Sequence, residues 1–307
     1  MEHSRLAICT TAGAVAGFLV AKYIYDTGAA DEGNHEHAGA DSPVAFRSAG
    51  AYLLDWIVKY REDCRSLPVI SQMPHNYLSK VLPETAPAKP EPWSAIFRDL
   101  DDVIVPGLTH WCASNKFFAY FKPHSAYPAV LGEMVCAGLN VMGFDWIASP
   151  ACTELEVVTL DWLAQILCLP RSFLNCESGP GGSVIQGSAG ESAIVVILAA
   201  ILKVQNSKEG QHLERDEMVV LGSDQTHTIV KKACRVLGVQ YHEIMTDAQE
   251  HWGMQQAQVV SGIEQCMGKG MHPIVVVATT GTTSSCAFDD VEGIGKVCKA
   301  RHIWLHL

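Results

Sequence analysis

No Cys-x-x-Cys pair occurs in the 307 residues; the eleven cysteines, Cys9, Cys64, Cys112, Cys136, Cys152, Cys168, Cys176, Cys234, Cys266, Cys286 and Cys298, are scattered and odd in number. That spacing suits neither a zinc site nor a disulfide framework. Reduced thiols point instead to a cytosol-like compartment, hence a cytoplasmic location. Basic charge is also scarce, with Lys+Arg 22 against Asp+Glu 33. Binding to a nucleic-acid backbone depends on concentrated positive charge, so that class of partner is excluded as the main one. A Walker loop is missing too: the small-residue stretch "QGSAGES" lacks the Lys-Ser/Thr pair and does not match the dinucleotide glycine pattern. What is present is a chain 48% hydrophobic, long enough for one large or two ordinary domains. A small-molecule enzyme fits that composition.

Long apolar runs are confined to one place near the start. From Leu6 to Tyr25 the chain reads "LAICTTAGAVAGFLVAKYIY", with Gly13 and Gly17 in a small-xxx-small arrangement and Lys22 able to snorkel. A spanning helix takes about 20 apolar residues, so this stretch is just long enough to associate with a membrane as an anchor. A cleaved signal peptide and an amphipathic N-terminal extension are the competing readings, the first disfavoured by the unpaired cysteines. Residues 26 to 43, including "NHEHAGAD", read as a solvated linker rather than a metal site.

The next segment is helical in pattern. "FRSAGAYLLDWIVKYRED" puts Tyr52, Leu53, Trp56, Ile57 and Tyr60 on one face. After the Pro-rich "LPETAPAKPEPW", a helix is expected from a Ser94 cap to a stop before Pro106. Residues 44–125 have no core of their own and are expected to pack onto something else. From about residue 150 the pattern changes. A helix with Thr153 and Glu156 at capping-box spacing leads to strand-like "GSVIQ", and then strand-loop-helix units recur through "EMVVLGSDQTHT", "PIVVVATTGTT" and the closing "HIWLHL". Such repetition indicates an α/β fold with a largely parallel sheet covered on both faces.

Ligands of such sheets bind where strands hand over to helices. "QGSAGES" sets Ser188, Ala189 and Gly190 at a helix start, suited to a phosphate by its free N–H groups, although Ser188 and Glu191 also fit an ordinary capping box. "SDQTHT" places His227 beyond a strand end, where an imidazole can stack on a ring or carry a proton. "ATTGTTSSCAFDD" adds the hydroxyls of Thr282, Thr283 and Ser284, or else a plain turn capped by Asp289. A phosphate cradle, a ring-stacking histidine and a hydroxyl loop together describe a site for a phosphorylated aromatic cofactor.

With "PGLTHWCASNKFFAYF", "GFDWIASPACTELE", "VIQGSAGESA", "SDQTHTIVKKA", "ATTGTTSSCAFDD" and "IWLH" in order over residues 45 to 307, the chain resembles the pyridoxal phosphate-dependent group II decarboxylases, nearest the aromatic L-amino-acid (tyrosine, tryptophan, DOPA) enzymes. The resemblance implies the aspartate aminotransferase-type fold (fold type I). It divides the chain into an apolar segment and linker, 1–43, an N-terminal helical dimerisation arm, 44–125, and a pyridoxal phosphate-binding large domain, 126–307. It also implies a homodimer, with pyridoxal 5'-phosphate held by Ser188, Ala189, Gly190, His227 and Thr283. His227 would stack on the ring and His306 would line the site. Trp111, Tyr120, Phe121 and Phe144 would help to form the aromatic substrate pocket. The reaction implied is decarboxylation to the amine and carbon dioxide, the cofactor accepting the electron pair.

Three departures stand out. Gly190 replaces a common serine, Lys122-Pro123-His124 replaces the usual sequence after Phe121, and Asp145 replaces a small residue before Trp146. The last two leave open whether the product is an amine or an aldehyde and whether histidine or glutamate is the substrate. In the family the partner aspartate of the pyridine nitrogen and the Schiff-base lysine follow the segment that ends here at Leu307. The expectation on this resemblance is a C-terminally truncated chain without its small domain, inactive alone, with a non-catalytic paralogue or fragment as the alternative.

Overall fold

The computed structural model describes residues 42–89, 91–118, 126–176 and 181–307. The apolar run 6–25, the linker to residue 41, and the site candidates Tyr120 and Phe121 with His124 lie outside these. The chain divides into two compact units, Met1–Phe118 and Ala119–Leu307.

In the first unit, Ser42 accepts from the Ala45 N–H and Pro43 opens α1, Pro43–Asp63. The aromatic stripe read from the sequence is used: Tyr52 stacks on Phe97 at 4.5 Å, Trp56 stacks on Tyr60 at 5.6 Å, and the Trp56 indole donates to Asp101 at 2.7 Å. The Tyr60 hydroxyl lies 2.8 Å from Nδ1 of buried His110, and burial pushes its pKa up to about 12. No residue of α1 is fully buried, but Cys64, Ile96, Phe97, Leu100 and His110 of this unit are, a small core that the sequence reading did not expect. A short helix, α2 (Leu78–Val81), precedes α3 (Trp93–Asp99), which passes into a π turn and then a 3-10 turn containing Pro106. Ser94 is therefore not the cap. Pro92 occupies that place, and Ser94 is already inside the helix.

The second unit opens with α4 (Tyr127–Leu139), ended by Asn140 in the left-handed conformation, and α5 (Pro150–Ile166). Helix α5 starts at Ser149–Pro150 rather than at Thr153, because proline at the first position is preorganised for a helix. Glu156 thus caps nothing; its carboxylate accepts from the Ile185 N–H at 2.6 Å. Buried Asp161 accepts from the backbone N–H groups of Asn175 (2.6 Å) and Cys176 (3.1 Å), which tie the following loop to α5 and hold its carboxyl below the usual range. "GSVIQ" forms no strand: Ser183 N–H goes to the Asn175 side chain and Ile185 N–H to Glu156, leaving Val184 and Ile185 exposed.

Four parallel strands follow, β1 (Met218–Ser223), β2 (Gln240–Ile244), β3 (His272–Val277) and β4 (Trp304–His306), in the order β2-β1-β3-β4. Helix α6 (Ala189–Gln205) precedes β1, α7 (Ile229–Leu237) joins β1 to β2, α8 (Gln256–Gly268) joins β2 to β3, and α9 (Val291–Ala300) joins β3 to β4. Strand β1 is buried at every position, so its alternate side chains feed two cores. Met218 and Val220 pack with Ile197 and Ile201 of α6 and Ala233 and Cys234 of α7. Val219 and Leu221 pack with Val259 and Ile263 of α8 and Ile294 of α9. The sheet is covered on both faces, as its apolar runs require. The α/β reading stands.

Strand β2 and helix α8 have no counterpart in the sequence reading. Gln240 and Glu243 of β2 are exposed and its polar pattern is that of an edge strand; Lys231 pairs with Glu243 along it. Pro273 lacks an N–H for the ladder, and the β1–β3 register slips there by a bulge. Gly238, at φ +74, closes α7 in the left-handed conformation. Asp289, read as a turn cap, instead accepts from the backbone N–H groups of Met254 and Thr279, each at 2.7 Å, while Asp290 caps α9. Burial pushes the Asp289 carboxyl up, and the two backbone donors pull it part of the way back.

Replacing Asp289→Ala strips the acceptor from both N–H groups. A loss of about 2–5 kcal/mol is expected, read as a lower urea midpoint, since each unsatisfied buried donor costs roughly 1–3 kcal/mol. Burial also lowers the pKa of His242 in β2 and His306 in β4. A histidine held below its unfolded value of about 6.5 adds stability that is present above that pH and is lost as pH falls through the folded value. The urea midpoint should therefore drop between about pH 7.5 and 5.5, and less so in a His242→Gln/His306→Gln variant. A midpoint rising over that interval would contradict the assignment.

Candidate functional site

Between β1 and β3 the direction of winding reverses. The chain leaves β1 for α7 on one face and returns through α8 to β3, which departs for α9 on the other. The carboxyl ends of these two strands therefore open a crevice, the place where such sheets bind ligands. Lys203, in the last turn of α6, lies 5.1 Å over the ring of Trp304, the first residue of β4. The C-terminus of α6 is thus at the amino ends of the strands, and its N-terminus points toward the crevice side.

At that N-terminus the Ser188 hydroxyl accepts from the Glu191 N–H at 3.2 Å, and Ser192 N–H bonds the Ser188 carbonyl. The N–H groups of Ala189 and Gly190 have no acceptor among the described residues. A side chain added at Gly190 would meet nothing closer than Ser188 Oγ at 3.7 Å. The capping expectation holds, and the first two amides of the helix have no acceptor among the described residues.

After β1, His227 is exposed, two residues before α7 begins. Its Nδ1 accepts from the Ile229 N–H at 3.2 Å, which puts the neutral ring's proton on Nε2. After β3, Thr283 is exposed at the tip of a turn closed by the Cys286 N–H on the Thr282 carbonyl at 2.8 Å. Thr282 itself is buried, and its hydroxyl is occupied by the Ala287 N–H and Ser285, so of the hydroxyls read as ligand donors it is not one. The two loops meet: Ser285 Oγ donates to Gln225 Oε1 at 3.0 Å. His306 ends β4, its carbonyl accepting the Ala278 N–H at 2.9 Å, and burial holds its imidazole below the usual histidine range.

Ser188, Ala189, Gly190, His227, Thr283 and His306 therefore belong to one end of one sheet. The aromatic candidates do not join them in the same way. Phe144 lies in the second unit but is 78% exposed, Trp111 packs edge-on against Phe117 in the first unit, and Tyr120 and Phe121 are outside the described residues. Asp145, beside Phe144, caps its own turn by accepting from the Ile147 N–H at 2.7 Å. Gln225 and Ser285 escaped the sequence reading, although both stand inside the quoted motifs; pairing across 60 positions becomes visible only once β1 and β3 are adjacent. Among the described residues no group of histidine, cysteine and acidic side chains could hold a metal ion, and no helix is long and apolar enough to cross a membrane.

Comparison with known proteins finds relatives of the same fold. Aromatic-L-amino-acid decarboxylase of Bos taurus is 40% identical over 268 residues, covering 85% of this chain and 54% of that protein. The solved tryptophan decarboxylase of Catharanthus roseus superposes with a TM-score of 0.79 at 37% identity, over 86% of this chain and 55% of the other. The 4-hydroxyphenylacetaldehyde synthase of Rhodiola rosea does so with a TM-score of 0.80 at 33% identity, over 87% and 57%. The chain thus spans about half the length of the relatives it matches. The family described as the pyridoxal-dependent decarboxylase conserved domain matches residues 74–307, three quarters of the sequence and the whole of the crevice, and the chain belongs to that family.

Proposed function

We propose that this protein uses pyridoxal 5'-phosphate to decarboxylate an aromatic L-amino acid to its amine and carbon dioxide. The observation that carries the reading is the convergence of a helix start with two amides that have no acceptor among the described residues, a ring-bearing histidine and an exposed hydroxyl at the switch point of a family member. The residues fit the cofactor's chemistry. The open amides of Ala189 and Gly190, with the positive end of a 17-residue helix behind them and Ser188 beside them, suit a phosphate dianion. Pyridoxal phosphate, when bound, supplies a conjugated ring that accepts the electron pair left by departing carbon dioxide.

The chain's own residues bind and orient. His227, its plane fixed by the Ile229 N–H, offers a flat face for the ring and an Nε2–H donor. Thr283 adds a hydroxyl from the opposite loop. His306, kept neutral by burial, lines the floor without adding positive charge that would compete for the phosphate. Trp111, Tyr120, Phe121 and Phe144 make up the aromatic substrate pocket in this reading. A homodimer belongs to it as well, with residues 44–125 as the arm: α1 contains no buried residue and its Phe46 stands exposed, and beyond the arm Leu131, Val135 and Leu139 of α4 are exposed too, as an interface would leave them in one protomer. Association of a cytoplasmic protein with membranes through residues 6–25 rests on the length of that apolar run alone.

A second reading, aldehyde rather than amine as product, is favoured by the equal fit to an aldehyde synthase structure. Carbon dioxide release by the full-length protein from tyrosine, tryptophan, histidine and glutamate, with the product identified, separates the two. Amine from tyrosine or tryptophan is expected; a preference for glutamate or histidine would overturn the aromatic assignment, and aldehyde would establish the second reading. Titration of the purified chain with the cofactor tests the site independently of turnover, and His227→Ala should weaken that binding. Gly190→Ser restores a hydroxyl into open space beside the phosphate position. Because a hydrogen bond to a charged group is worth about 1.5–3 kcal/mol, roughly tenfold or greater tightening of cofactor binding is expected. Unchanged or weaker binding would show that the hydroxyl does not reach the phosphate.

A further inference from the structure

The bond between Ser285 and Gln225 is one link of a longer chain whose directions the donors determine. The Ala287 N–H can only donate, and it does so to Thr282 Oγ1 at 3.0 Å. Ser285 spends its single proton on Gln225 Oε1, a pure acceptor 3.0 Å away, so the 2.8 Å contact between Thr282 and Ser285 runs from Thr282 to Ser285. The Gln225 amide then donates to Asp224 Oδ2 at 3.4 Å, and the other oxygen of that carboxylate accepts the Thr246 N–H (3.2 Å) and hydroxyl (2.7 Å). Every proton points toward Asp224, so each bond polarises the next. The loops after β3, β1 and β2 are tied in series, and the exposed His227 and Thr283 stand two residues from Gln225 and Ser285 respectively.

We propose that Gln225 and Ser285 are positioning residues, a latch across the switch crevice that sets the spacing of His227 and Thr283 for the pyridine ring. The proposal rests on the cofactor reading above and goes beyond it by assigning a role to two residues that touch no reacting atom. A latch of this kind acts on the ring end of the site. The phosphate end, built on the start of α6, is independent of it.

The test titrates the full chain and its Ser285→Ala, Ser285→Thr and Gln225→Leu variants with pyridoxal phosphate, and separately measures displacement of that cofactor by inorganic phosphate. Thermal midpoints confirm that each variant is folded. Ser285→Ala and Gln225→Leu should bind pyridoxal phosphate roughly three- to tenfold more weakly, the range expected for one neutral hydrogen bond. The inhibition constant of inorganic phosphate should stay the same, and Ser285→Thr, which keeps the hydroxyl, should recover wild-type binding. Unchanged cofactor affinity in Ser285→Ala overturns the latch and leaves the cofactor site standing. Parallel weakening of cofactor and inorganic phosphate also overturns it, by showing general loosening. Failure of the wild-type chain to bind pyridoxal phosphate at all removes the cofactor reading and the latch with it.

Discussion

Strand β1 has no solvent side. Both edges are hydrogen-bonded, to β2 and to β3, and both faces are covered by helices. A strand in that position cannot slip by one residue without exchanging Met218 and Val220 for Val219 and Leu221 between two differently shaped cores. Its carboxyl end is thereby held in register with β3, so the loops that carry His227 and Thr283 leave the sheet from fixed points. The candidate site inherits its geometry from this double burial.

Around that rigid strand the polar groups are arranged to bind loops to one another rather than to water. Asp224 ties the β1 loop to Thr246 after β2, and Asp289 ties Met254 before α8 to Thr279 after β3. The two carboxylates do different electrostatic work. Asp289 is buried, with its pKa raised, and satisfies two backbone donors; Asp224 is half-buried and ends a hydrogen-bond chain. In the same region, among the described residues, the amides of Ala189 and Gly190 have no acceptor and His227 and Thr283 are exposed.

The α/β class and the strands β1, β3 and β4 were legible because runs such as "MVVLGS" and "PIVVV" are apolar on both faces, which only a covered parallel sheet accommodates. Strand β2 was not, because "QYHEI" mixes exposed and buried positions as edge strands do. "GSVIQ" has strand composition but takes its hydrogen bonds from Asn175 and Glu156 side chains. Helix caps were misplaced by four residues at α5 and by two at the Ser94 helix, in each case because a proline stands at the start of the helix.

By itself the sequence determined which chemical groups this protein carries and in what order: a small-residue helix start, a histidine after one buried strand, hydroxyls after another and a histidine in a third. Those follow from composition and period, which are local. Only the tertiary structure decided that β3 lies beside β1, that Thr282 is buried while Thr283 is free, and that Gln225 meets Ser285. Adjacency of strands depends on how α8 carries the chain back past β1, and no pattern confined to a few neighbouring residues encodes that path.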